Sequence, residues 1–437
     1  MSRRNPPNSD QPFTRITPMH LTTRHRLFPS ALGLLLGAVL GSCAVTDIAQ
    51  AQGAPDAIWT TSNYFGPIAF SPDGSILAIG PYPKIVFVAP SNGHVIRTLD
   101  LEEGEWDVAS LAFSPNGQLL AAGPDQGGDY RIRIRSVETG QVLQRLEGSS
   151  NVVKSLAFNA DATLLAAHAR GWLRVWRLAD GSLLRVQDTD ASPPAVSFSW
   201  DGTLLAAGSG MGVNIWRVAD WQLLHELPAA YLGVLTAAFS PDGVYVATGS
   251  FGYEGWYPSF GVIPVRLLLW RVSDGALQTT FPNVPLTNNG MASSINSLAF
   301  SPDGKTLVTG SADRTIRFWR VPDGRLLRLY DQSAPGETTG AVQRVAFSPD
   351  GRHYAYSRGG TLVMANAPLF VNQAIFTNGQ AILQWQGGRG LYQVQQRTNL
   401  KTGFWQCAGL ASTNLSLTNP LPPGAAAVFY RVVSGDP

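Results

Sequence analysis

One phrase occurs seven times in this 437-residue chain, and it constrains the fold more than any other feature. It reads IAFSPDGSILAIG from Ile68, LAFSPNGQLLAAG from Leu111, LAFNADATLLAAH from Leu156 and VSFSWDGTLLAAG from Val196. It returns as AAFSPDGVYVATG from Ala237, LAFSPDGKTLVTG from Leu298 and VAFSPDGRHYAYS from Val345. The phenylalanines that set its register, Phe70, Phe113, Phe158, Phe198, Phe239, Phe300 and Phe347, are 43, 45, 40, 41, 61 and 47 residues apart. Units of that length cannot each bury an apolar face alone, so they must stack on one another. The 61-residue interval marks an insertion, because the phrase resumes unchanged beyond it.

The turn chemistry divides each unit into strands. Ser-Pro-Asp-Gly joins two apolar runs: proline presets φ at the second turn position, aspartate tolerates the next, and glycine accepts positive φ. A small-residue strand such as LLAAGS follows, then a strand carrying tryptophan: LRVWRLADG, VNIWRVADW, LLLWRVSDG or IRFWRVPDG. A second tight turn leads into a fourth strand such as SLLRVQ or RLLRLY. Four short antiparallel strands per unit, at this period, predict an all-β, seven-bladed β-propeller over residues 56–368. Unit seven supplies only three strands, VQRVAF, RHYAYS and TLVMANA, while AIWTTS at 57–62 precedes unit one as an orphan. Placing that strand on the outside of the last blade closes the ring and removes an open sheet edge.

The FSPDG turns, the Gly310-Ser311 pair before Asp313 and the tryptophans Trp176, Trp216, Trp270 and Trp319 resemble the WD-repeat family. The resemblance implies a rigid platform that binds proteins. It departs from the family where arginine (Arg177, Arg217, Arg271, Arg320) follows each tryptophan in place of the name-giving aspartate, and the usual Gly-His dipeptide is missing. The family's Asp-His-Ser-Trp network therefore cannot be assembled, and unit six alone offers Ser311, Asp313 and Trp319 together.

The first 51 residues follow a different logic. LFPSALGLLLGAVLG (27–41), preceded by Arg24, His25 and Arg26, is too short for a comfortable membrane span and has the layout of a secretory signal. Two processing routes stay open: cleavage after Ala51, in AQA, or lipidation of Cys43 in LGSC, which resembles a bacterial lipobox. Either route leaves Cys407 as the only free thiol, so no intramolecular disulfide is expected. The leader contains five arginines and two acids. Without it, 27 basic side chains face 28 acidic ones, a net charge of −1. No basic stripe then argues for nucleic acid.

Beyond residue 368 the phrase stops. AILQW, LYQVQQRTNL, FWQCAGL, LSLTN and AVFYRVVS read as five short strands of a small β-sandwich-like module at 369–437. Trp385 and the Tyr-Arg-Val of 430–432 resemble a fibronectin type III-like domain. Trp385, Trp405 and Tyr430 are expected to fill its core, since a domain this small needs its aromatics inside.

No catalytic or cofactor motif appears: there is no HExxH, CxxC, GxSxG or phosphate loop, and no metal-ligand set. His94, His168, His225 and His353 fall in different blades. GSGMG (208–212) joins two strands and reads as a hairpin turn. DLEEGEWD (100–107) reads as a solvated acidic loop, with a weak cation site as the sharper alternative.

The insertion is the best pointer to function. FGYEGWYPSFGVIPVR (251–266) lies between the second and third strands of unit five and carries Tyr253, Trp256, Tyr257 and Phe260 as candidate binding residues. Links from a fourth strand to the next blade share that face, and the link FPNVPLTNNGMASSIN (281–296) is also long. Aromatics on loops above a rigid scaffold suit binding, though they could equally fold back and plug the face. The expected function is an exported, non-catalytic, monomeric scaffold with a protein partner, touching membrane only through a lipid on Cys43. An extracytoplasmic enzyme, polysaccharide-active or quinone-dependent, is the alternative; it would require clustered carboxylates, or His and Arg, at the mouth of the central channel, and no such cluster emerges from the register.

Overall fold

The computed structural model describes residues 54–368 apart from short connecting segments, of which 255–261 and 332–339 are the longest. Outside that range it describes the strand Thr17–Pro18 and the backbone of strands between Phe370 and Ser434. The apolar run 27–41 and Cys43 lie outside the described residues.

Every regular element among the described residues is a strand. Blade one contains Ile68–Phe70, Leu77–Ile79, Lys84–Val88 and Val95–Asp100, hydrogen-bonded in that order. Blades two to six repeat this four-stranded antiparallel plan. The first strand of each blade touches the first strand of the next. Val342–Phe347 of blade seven touches both Ile295–Phe300 of blade six and Ile68–Phe70 of blade one. The seven sheets therefore form a closed ring around an axis, a seven-bladed β-propeller.

The orphan strand closes that ring. Ala57–Ser62 pairs antiparallel with Thr361–Asn366, with Thr60 opposite Val363 and Ser62 opposite Thr361. A further two-residue strand, Thr17–Pro18, pairs on the other side of Ala57–Ser62. Trp59 is buried among Leu77, Val86, Leu362 and Met364, and its indole donates to the Pro90 carbonyl of blade one at 2.7 Å. One strand thus joins the last blade to the first through both backbone pairing and core packing.

The repeated phrase is a hydrogen-bonded turn. Ser71 Oγ donates to Asp73 Oδ1 at 2.5 Å and accepts the Ile76 amide at 2.9 Å. The same pair of bonds recurs at Ser199, Ser240, Ser301 and Ser348. In blade two Asn116 replaces the aspartate. In blade three Asn159 takes the serine position and accepts the Leu164 amide. The Ser71 hydroxyl holds Asp73, and the Ser199 hydroxyl Asp201, below the ordinary carboxylate pKa. The turn glycines sit at φ near 72°, as in Gly74, Gly202 and Gly243, and Ala162 must adopt 57° where blade three lacks one.

The arginine that follows each repeat tryptophan has a local task. Arg177, Arg217 and Arg271 pair with Asp180, Asp220 and Asp274 at 3.3, 3.1 and 2.9 Å, three residues on. Arg320 pairs in the same way with Asp323. Each is a half-exposed clamp across the turn to the fourth strand, a contact worth at most about 1 kcal/mol. In blade six Arg317 neutralises the buried Asp313 at 2.8 Å, and the Trp319 indole donates to Thr309 at 3.0 Å instead of to Ser311. Trp270 and Thr248 repeat that last bond in blade five at 3.1 Å.

Beyond the propeller, Phe370–Thr377, Gln380–Gln386 and Ser416–Pro420 form one three-stranded sheet. Tyr392–Arg397, Gln406–Cys407 and Phe429–Ser434 form another. Phe370–Thr377 is a sixth strand beyond the five expected. It pairs with Gln380–Gln386 across Asn378-Gly379, the strongest short hairpin signal a sequence can hold. Trp405 lies outside the described residues.

Two outcomes follow from this architecture. Trp59→Ala should cost about 3–5 kcal/mol of stability, the usual range for emptying a buried tryptophan site. Deleting 54–62 should add self-association through the bared Thr361–Asn366 edge. Calorimetry and light scattering decide the matter, and a variant that melts like wild type and stays monodisperse would refute closure as a source of stability.

His168 gives the fold an acid-sensitive point. It is fully buried, and its Nε2 lies 2.9 Å from Thr189 Oγ1, whose hydroxyl donates to the Gly171 carbonyl. Nε2 must then carry the proton of a neutral ring. Burial lowers the His168 pKa to about 4, so the unfolded chain binds its proton first as pH falls from about 6.5. The stability involved, on the order of 3 kcal/mol, is present above pH 6.5 and lost towards pH 4. Denaturant titrations of His168→Gln should show a shallower loss over that window, and an unchanged slope would exclude His168 as its source.

Candidate functional site

The insertion and the long link meet on one face. At its base, the Ser250 amide donates to the Arg266 carbonyl at 2.9 Å, and the Arg266 amide donates to Ser250 Oγ at 2.8 Å. Above this neck Tyr253–Glu254 pairs with Val262–Ile263. The link contributes a second small hairpin, Thr287–Asn288 with Met291–Ala292. Phe251 bridges to Ser294, and Tyr253–Glu254 contacts Met291–Ala292. Of the candidate binding residues, Tyr253 stands on this backbone ribbon, while Trp256, Tyr257 and Phe260 lie outside the described residues. Phe281, which opens the link, is buried edge-on against Trp319 at 5.5 Å and belongs to the core.

An axial cavity of about 620 Å³ opens on the same face. Its wall follows a register rule. Gly66, Ala109, Lys154, Leu235, Asn296 and Gln343 each stand four residues before the repeat phenylalanine of their blade, and each lines the cavity. The equivalent Pro194 of blade four lies outside the described residues. The signal for this wall in the sequence is a fixed count back from each repeat phenylalanine. That count identifies most of the ring.

Blade seven differs from three other blades at the position three residues before the phenylalanine. Blades two, three and six place Ser110, Ser155 and Ser297 there, and each hydroxyl bonds to a backbone carbonyl of the next blade. Blade seven places Arg344. Its guanidinium reaches past blade one and donates to the Ala109 carbonyl of blade two at 3.3 Å. Among the described residues, Arg344, Arg358 and Lys154 line the cavity with a single carboxylate, Asp125. Asp107 lies beside Asp125, whose amide donates to the Asp107 carbonyl at 3.0 Å, but it does not line the cavity. Burial raises the Asp107 pKa.

The acidic loop 100–107 requires a correction. Asp100 and Glu103 are exposed as expected, but arginines occupy the carboxylates of Glu102 and Glu105, which leaves neither for water or a cation. Glu105, buried with its partners, takes Arg135 at 2.5 Å and Arg133 at 3.4 Å. Glu102 takes Arg133 at 3.3 Å and also Arg145, whose hydrogen bond is the main cause of the lowered Glu102 pKa. Asp129, held to about 2 chiefly by Arg131, completes the cluster. The alternation of Arg133 and Arg135 along one strand was the overlooked signal: two inward guanidiniums need buried acids. GSGMG behaves as expected, with Ser209 opposite Gly212 in a hairpin. None of the four histidines lines the cavity.

Comparison with known proteins follows the repeats. The WD domain, G-beta repeat family matches residues 221–253 and 284–320. The WD40 domain of anaphase-promoting complex subunit 4 matches 68–161. Eukaryotic translation initiation factor 3 subunit I of Aspergillus oryzae is 40% identical over 65 residues, 15% of this chain and 18% of that protein. The ribosome biogenesis protein BOP1 homolog of Leishmania braziliensis is 38% identical over 60 residues, 14% of this chain and 7% of that protein. The similarity thus spans less than a fifth of these relatives' length. The seven-bladed, strand-closed ring thus carries repeats of the WD family at residues 68–161, 221–253 and 284–320.

Proposed function

We propose that this protein is an exported, non-catalytic interaction scaffold whose partner, a protein, docks on the face carrying residues 251–266. One observation carries the reading: the expanded loop of blade five and the expanded link after it are tied together, by the Phe251–Ser294 bridge and the contact of their hairpins, on the face where the axial cavity opens. Two loops that brace each other lose less entropy on binding than two free ones. The aromatic content of the loop supplies the residue types that anchor interfaces. The relatives named above are proteins of eukaryotes, and neither family match reaches residues 1–67 or 369–437. Export therefore rests on the 27–51 segment alone. Removing the leader would also remove Thr17–Pro18 and leave Ala57–Ser62 as the outer strand of blade seven. The enzyme alternative needs clustered carboxylates, or His and Arg, at this mouth; among the described residues the lining holds Asp125, Arg344 and Arg358.

Trp256→Ala combined with Tyr257→Ala should weaken capture of the partner by at least about thirtyfold, the equivalent of about 2 kcal/mol for a truncated anchor. Its melting temperature should match wild type. A large loss of stability with retained capture would make the loop a plug and move the binding site elsewhere. For export, intact-mass measurement of the cell-derived protein should show a chain starting at Cys43 or at Gln52. A full-length product held in the cytoplasm would overturn that part of the reading.

A further inference from the structure

The axial cavity has the chemistry of an anion site, independent of the docking face. Arg344 and Ser357 are directly opposed on neighbouring strands of blade seven, which brings their side chains to the same side of the sheet. Both line the cavity. Ser357 is only 4% exposed, and its hydroxyl has no hydrogen-bond partner. An unmet buried hydroxyl is costly and uncommon in a folded protein unless something outside the chain completes it. The Arg344 guanidinium has one bond, to the Ala109 carbonyl, and no carboxylate among the described residues pairs with it. Three buried arginines of this chain, Arg133, Arg135 and Arg317, are each held by Glu or Asp. Buried Arg174 has no acid among the described residues but lies over the Trp172 ring. The half-buried Arg344 has neither, and burial depresses its pKa.

We propose that the axial cavity binds an oxyanion, a carboxylate or a phosphate group, with Arg344 and Ser357 donating to its oxygens. Lys154 and Arg358 add positive charge to the wall, and Asp125 on the same wall subtracts one unit. Guanidinium donors fit either anion, so geometry alone does not separate carboxylate from phosphate. Pro67, Val108 and Leu235 leave apolar wall beside the charged group. A cavity of about 620 Å³ lies within the size range of small-molecule sites, so the anion can be a free metabolite-sized molecule.

The test is isothermal titration of the full chain with sodium succinate and, separately, with sodium phosphate, at fixed ionic strength. At least one should bind saturably, and the one that binds better names the anion. Arg344→Gln should weaken that binding by roughly tenfold to a hundredfold, the worth of a charged hydrogen bond. This variant also loses the Ala109 contact and could destabilise the ring, so Ser357→Ala is the second arm. Removing an unpartnered hydroxyl should leave the melting temperature unchanged or higher, while weakening the anion severalfold. Trp256→Ala with Tyr257→Ala should leave anion binding intact, which separates this site from the docking face. Absence of saturable binding to both salts, or binding that neither Arg344→Gln nor Ser357→Ala alters, overturns the proposal.

Discussion

Ring closure is the constraint on which the rest of this structure depends. Each blade is a four-stranded sheet with two apolar faces, and only another blade can cover each face. Six such contacts leave two bare faces, and a seventh leaves none. The last of them is made by a strand that lies 299 residues before its pairing partner: Ser62 opposite Thr361. Closure therefore converts a stack of local hairpins into one cooperative unit. It also carries the cost of bringing distant segments together, a cost that grows only logarithmically with loop length.

Within that ring the repeated phrase acts locally. A buried serine hydroxyl that donates to an aspartate two residues on and accepts an amide five residues on fixes the turn between the first two strands. The turn in turn fixes which residues of the first strand face the axis. At the opposite edge of four blades, the arginine after tryptophan clamps the next turn from outside. Losing the name-giving aspartate thus does not leave its place idle. The charge has changed sign and moved to the surface, while Arg317 takes up the buried Asp313 in blade six.

Most of this was legible from the sequence, for a physical reason. Turn residues with restricted φ, alternating strands and a fixed period are local properties, and seven copies average away individual lapses such as the missing glycine at Ala162. The closing strand was legible because blade seven lacked one strand and the N-terminal side had one to spare. The axial cavity was not legible by motif, since it takes one residue from each of several blades: Lys154, Asn296 and Gln343 share nothing except distance from a phenylalanine. The acidic loop was misread for a related reason. Glu102 and Glu105 look solvated in one dimension, and Arg133, which neutralises both, lies about thirty residues on in the next blade's third strand.

The seam of the ring and the axial cavity are parts of one arrangement. After the closing strand the chain passes through Tyr64, whose amide donates to the Gly360 carbonyl at 2.8 Å and whose buried hydroxyl donates to the Pro67 carbonyl. The next axial position is Gly66, where an added Cβ would come within 1.8 Å of the Gly80 carbonyl oxygen. Blade one thus places no side chain at that ring position, and Arg344 extends past it from blade seven to blade two. The strand bearing Ser357 and Arg358 is held in turn by Thr361–Asn366, the strand on which Ala57–Ser62 pairs. Glycine at one position, required by close backbone packing at the seam, leaves room for the path of the Arg344 guanidinium across the channel. The asymmetry that closure imposes on seven similar blades is therefore also what distinguishes the axial site from a plain hydrophobic pore.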